Sequence, residues 1–124
     1  MLKNRFWQVL FWSWALGVLI LSVIPNQKIF VKQGSLDFDP HGYFQHFLAY
    51  GIGMYIGLKV NKNKTAMFIV LFGIFIEIIQ YFLPYRSFNL FDILANLSGV
   101  IFILIIYSLF LKGEASKVSI KIRE

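Results

Sequence analysis

The chain contains no cysteine, which excludes disulfides, thiolate metal sites and a cysteine nucleophile. Acidic residues are scarce, with six Asp and Glu against twelve Lys and Arg. Only three prolines occur, at Pro25, Pro40 and Pro84, and all of them fall between long apolar runs. There is no glycine-rich phosphate loop, no nucleophile elbow with a Ser-His-Asp order, and no His-x-x-x-His pair. The usual signatures of nucleotide hydrolases, serine hydrolases and zinc enzymes are therefore missing, and no motif calls for a cofactor.

What the chain has is hydrocarbon. Of 124 residues, 58% are hydrophobic and 19% aromatic. Four apolar runs, near residues 6–24, 42–60, 66–83 and 91–111, approach the roughly 20 residues that a helix needs to cross a bilayer. The connections between them are short. The expectation is an all-α, four-helix transmembrane bundle forming one membrane domain over residues 1–124. The first run is longer than the ~7–15-residue core of a signal peptide. Ser22-Val23-Ile24-Pro25-Asn26 also lacks a small-x-small cleavage pattern, so this run reads as an uncleaved anchor.

Charge sets the expected orientation. Lys3, Arg5, Lys59, Lys62, Lys64, Lys112, Lys117, Lys121 and Arg123 fall on one side, nine basic residues against Lys28, Lys32 and Arg86 on the other. The positive-inside rule then places both termini in the cytoplasm. Topology accounts for the net charge of +6 without a nucleic-acid partner.

Against this apolar background, Glu77, Gln80, Arg86, Asp92 and Asn96 stand out. An ionisable group at membrane depth costs ~3 kcal/mol on insertion scales, which makes it a functional-site hypothesis by default. The expected topology puts all five, with His46, in the outer leaflet. Residues three and four apart share a helix face. Gly42, His46, Tyr50, Gly53 and Gly57 form one stripe, Gly73, Glu77, Gln80 and Pro84 a second, and Asp92, Asn96 and Gly99 a third. Stripes that mix polar groups with glycine suit faces turned toward other helices, so the three are expected to converge on one site.

Each element also has a plainer reading. Gln80 and Asn96 serve equally as interhelical hydrogen bonds, a lone His46 as a packing histidine, and Gly53-x-x-x-Gly57 as close helix packing. Glu77, Arg86 and Asp92 together read as an ion-pair network, although desolvation offsets much of what such a network gains. Asp37, Asp39 and His41 alternate as divalent-metal ligands would. Asp39 as a helix N-cap before Pro40 at the first helical position accounts for the segment more simply, so no metal is expected there. Trp7, Trp12, Trp14, Tyr81 and Tyr85 suit interfacial belts and lipid contact.

Three groups of residues carry a resemblance. Ser22-x-x-Pro25, His46-Phe47-x-x-Tyr50 and the run from Glu77 through Gln80, Pro84, Arg86, Asp92 and Asn96 to Gly99 resemble the VanZ-like family in order and spacing. These are small bacterial membrane proteins named for a teicoplanin-resistance protein. The chain departs from the family where an Asp-Lys pair usually precedes the His46 equivalent, since Gly42 and Tyr43 stand there. The resemblance implies a bacterial cytoplasmic-membrane protein associated with antibiotic resistance, but it supplies no reaction.

Residues and resemblance together lead to an outer-leaflet site for a membrane lipid or a lipid-linked envelope precursor. Arg86 would contact a phosphate or carboxylate, while Gln80 and Asn96 orient the groups around it. Glu77, Asp92 and His46 would set protonation or, in an enzyme acting on an envelope lipid, serve as base, nucleophile or acid. A non-catalytic interaction subunit is the other alternative. A carrier ranks last, because it should place polar groups through the full membrane depth.

Overall fold

The computed structural model describes residues 2–25, 40–86 and 88–123. Within them the chain forms four helices: α1 (Leu2–Val23), α2 (Pro40–Val60), α3 (Lys62–Phe82) and α4 (Leu90–Arg123). Each apolar run falls on one helix, although α1 and α3 end one residue short of their runs, and every helix starts before its run does. The largest difference is at α4, expected to end near residue 111, which continues to Arg123. Glu114, Ala115 and Lys117 are good helix formers and no proline intervenes, so the helix continues through Gly113 despite that residue's low propensity.

Asn61 alone separates α2 from α3. Its backbone is extended and its side chain accepts from the Lys64 N–H, an N-cap that starts α3 four residues before the expected Ala66. Thr65 tightens the corner by donating to the carbonyl of Gly57 at 3.0 Å. Pro40 opens α2, as its missing N–H favours. The proposed Asp39 cap lies outside the described residues.

Three helical segments are long and apolar enough to cross a membrane: Asn4–Val23, Lys62–Phe82 and Leu90–Phe110. The α2 helix matches α3 in length, but His41, Gln45, His46, Lys59 and its glycines dilute its apolarity. It is nevertheless the axis of the bundle. It packs on α1, α3 and α4, and it separates α1 from α4, which do not touch among the described residues.

Small residues allow this crowding. The Trp14 ring lies on Gly53, where a Cβ would come within 2.2 Å of it, and its indole N–H donates to the carbonyl of Ala49 at 2.9 Å. Trp14 therefore serves an interior contact rather than the lipid interface, whereas Trp12 remains 59% exposed. Phe11 and Thr65 close on Gly57. On the opposite side Gly99 meets backbone directly: a Cβ there would fall 2.3 Å from the carbonyl oxygen of Phe47. Gly53-x-x-x-Gly57 was legible as packing, but Gly51, which faces Gly99, was not. A central helix needs small residues on more than one face.

The radial distribution of polarity is inverted relative to a water-soluble protein. Glu77, Gln80 and Asn96 are buried, while Leu21, Phe82 and Phe110 are among many large apolar side chains on the outside. An apolar exterior around a polar interior is stable in lipid and costly in water.

Candidate functional site

The polar residues gather at the end of the bundle where α1 stops and α4 begins, and they form two linked groups. The first joins α2 to α4. His46 Nδ1 lies 3.0 Å from Asn96 Oδ1, so the ring donates to the amide oxygen. His46 Nε2 faces Asp92 Oδ2 at 3.6 Å. Both nitrogens of one imidazole thus face residues one turn apart on α4. Tyr43 and Ser98 make a parallel tie, their hydroxyls 2.9 Å apart. Ser98 donates to the Leu94 carbonyl, so Tyr43 is the donor to Ser98. Tyr43 thereby fastens α2 to α4.

Glu77 is fully buried where α3 approaches the start of α4. Its Oε2 accepts from the backbone N–H of Asn89 at 3.4 Å. The N-terminus of a helix carries partial positive charge, which suits both Glu77 and Asp92, in the first turn of α4. Asp92 and Arg86 lie close enough to Glu77 for their charges to act on it, with opposite signs. Glu77 Oε1 has no hydrogen-bond partner among the described residues.

The second group closes the C-terminus of α1. A helix leaves its last carbonyls without intrahelical donors. Here Pro25 aggravates the shortage, because it has no N–H to offer Leu21 four residues earlier. Side chains from the α3–α4 corner fill each position. Arg86 Nη2 donates to the carbonyls of Leu21 and Ile24, both at 2.7 Å. Gln80 Nε2 donates to Ser22 at 3.1 Å, and the Tyr85 hydroxyl to Val23 at 2.8 Å. The Arg86 cation also sits at the negative end of the α1 dipole.

This second group was read from the sequence only in part. Gln80 makes the interhelical hydrogen bond that was one of its two expected roles, whereas the ligand expected for Arg86 and the interface expected for Tyr85 leave out the main-chain carbonyls they hold, which have no side-chain signature. Pro25 was the one available signal.

A cleft of about 190 Å³ lies between the two groups, lined by Ser22, Gln45, His46, Tyr50, Gln80 and Arg86 with apolar Val18, Leu21, Ala49 and Ile76. Arg86 Nε is buried and unpartnered among the described residues, unlike Nη2, which the α1 carbonyls occupy. The structure thus brings His46, Asp92 and Asn96 together, sets Glu77 beside them, and brings Gln80 and Arg86 to the cleft through α1. Tyr50, on the α2 stripe expected to converge there, lines the cleft, and Gln45 joins it without having been singled out. His41 is exposed on α2 and meets Gln45 at 3.1 Å, while Asp37 and Asp39 lie outside the described residues. Among the described residues, no three His, Asp or Glu side chains are grouped to hold a metal ion.

No curated protein and no solved structure matches the chain. The VanZ/LLP1 family model matches residues 5–111, a span that begins near the start of α1, includes all three helix connections, and takes in both polar groups. The chain belongs to the VanZ/LLP1 family.

Proposed function

We propose that this membrane protein binds the anionic headgroup of a lipid-linked envelope component at the outer face of the bacterial cytoplasmic membrane, and that this underlies an effect on teicoplanin-type antibiotics. The observation that carries the reading is the cleft shared by Arg86 and His46. Its 190 Å³ is below the roughly 300–1,000 Å³ of pockets that enclose a drug-sized ligand. A headgroup fits such a volume, with the acyl chains left in the bilayer. Arg86 lines the cleft and supplies the cationic guanidinium for a phosphate or carboxylate, and Gln45 and Gln80 add neutral polar groups. In this reading all four helices span the membrane and both termini are cytoplasmic, following the asymmetry of Lys and Arg.

The test compares teicoplanin and vancomycin susceptibility in cells with and without the protein, alongside its Glu77→Gln and His46→Leu variants. Protection against teicoplanin that His46→Leu abolishes, at unchanged protein level, supports the reading. Equal susceptibility with and without the protein would overturn it.

A second reading, a hydrolase or transferase on such a lipid, draws on the imidazole of His46 held between Asp92 and Asn96. It requires turnover of labelled envelope lipids by purified protein, lost in His46→Gln.

A further inference from the structure

A second and much smaller cavity lies between α2, α3 and α4 and shares Tyr50 with the cleft. Its volume is about 10 Å³, about one water-sized probe and the least that holds a water. Tyr50, Gly73 and Asn96 line it with apolar neighbours that include Ile69 and Val100. Two of the lining residues carry a buried polar atom with no partner among the described residues: Tyr50 its hydroxyl and Asn96 its Nδ2. Tyr50 is 2% exposed and Asn96 5%, so neither is hydrated from outside.

The geometry points to a single bound water in this cavity, bridging the Tyr50 hydroxyl and the Asn96 amide. Buried polar groups are nearly always partnered, and buried waters satisfy those that protein groups leave open. Asn96 Oδ1 is taken by His46, so the atom facing Gly73 is the amide nitrogen, a donor. A donor selects a water oxygen and rejects a cation. The water in turn has hydrogens to give, and the Tyr50 hydroxyl accepts one. His46, Asn96, water and Tyr50 then form one hydrogen-bonded line.

Gly73 is the positioning residue. A Cβ at this place would lie 3.0 Å from Tyr50 Cε1 and 3.2 Å from Asn96 Nδ2. Any larger residue therefore takes the volume that the water needs. The missing side chain is what keeps the cavity open, and the water fixes the amide that orients His46.

The test uses the full chain, uniformly ¹⁵N-labelled, in perdeuterated detergent micelles, and measures magnetisation transfer from water to the Asn96 side-chain amide protons. The wild type should show a cross-peak of the sign that marks a water held longer than nanoseconds. Gly73→Ala should lose it, with a changed ¹⁵N shift at His46 Nδ1 and the remaining amide spectrum preserved. Absence of the cross-peak in the wild type would overturn the proposal, whatever the variant does. An undiminished cross-peak in Gly73→Ala would also overturn it. Neither outcome depends on an antibiotic or an envelope ligand.

Discussion

Arg86 combines two tasks that a substitution can separate. Its Nη2 holds the Leu21 and Ile24 carbonyls, whereas Nε is buried and unpartnered among the described residues. A lysine ammonium can donate to two carbonyls at the same helix end but has no second nitrogen to offer. Arg86→Lys should therefore keep most of the stability in a denaturant titration and lose protection against teicoplanin. Arg86→Leu should lose both, with a stability cost of about 1–3 kcal/mol for hydrogen bonds from a charged donor. Full protection by Arg86→Lys would remove Nε from ligand binding. Asp92 and Asn96 have a comparable division of labour around His46, one contacting each ring nitrogen. Asn96→Leu leaves Nδ1 without its acceptor and should disturb the ring more than its volume change suggests.

Helices are joined here by what their ends and glycines leave open. Pro25 withholds an N–H from Leu21 and Arg86 supplies the replacement, so the two residues should be energetically coupled. Pro25→Ala should lessen the cost of Arg86→Leu, giving a coupling of about 0.5–1 kcal/mol in a double-mutant cycle. Additivity would show that the α1 end is closed by other means. At the α2–α4 crossing, Gly99→Ala forces a methyl toward the Phe47 carbonyl oxygen, and backbone cannot swing aside. The expected loss is about 1–3 kcal/mol, read from unfolding in a denaturing detergent. Asn61→Ala removes the cap of α3 and should cost about 1 kcal/mol in the same assay. The sequence disclosed the stripes on α2, α3 and α4 because glycine and polar side chains recur at helical spacing. It did not disclose the role of α1, whose share in the site is four carbonyl oxygens. It also left Gly51 unassigned, since a pattern counted from His46 follows one face of a helix that has neighbours on three.

Among the described residues, Lys59, Lys62 and Lys64 lie at one end of the bundle, and the polar groups around His46 and Arg86 at the other. If the Lys and Arg asymmetry directs insertion, reporters fused at either terminus or placed at Asn61 will read as cytoplasmic, and one placed beside Arg86 as external. An external reading at Asn61 would invert the proposed site to the inner face. The closure of α1 has a further consequence for biogenesis. The carbonyls at its C-terminus leave the ribosome first, yet their donors reside at Gln80, Tyr85 and Arg86, some sixty residues downstream. Until the α3–α4 hairpin enters the bilayer, that helix end must rely on headgroups, water or the insertion machinery for hydrogen bonds. Maturation of the earliest helix thus waits on the latest corner, so a chain truncated after α3 should expose α1 to membrane quality control even though every apolar segment up to that point is intact.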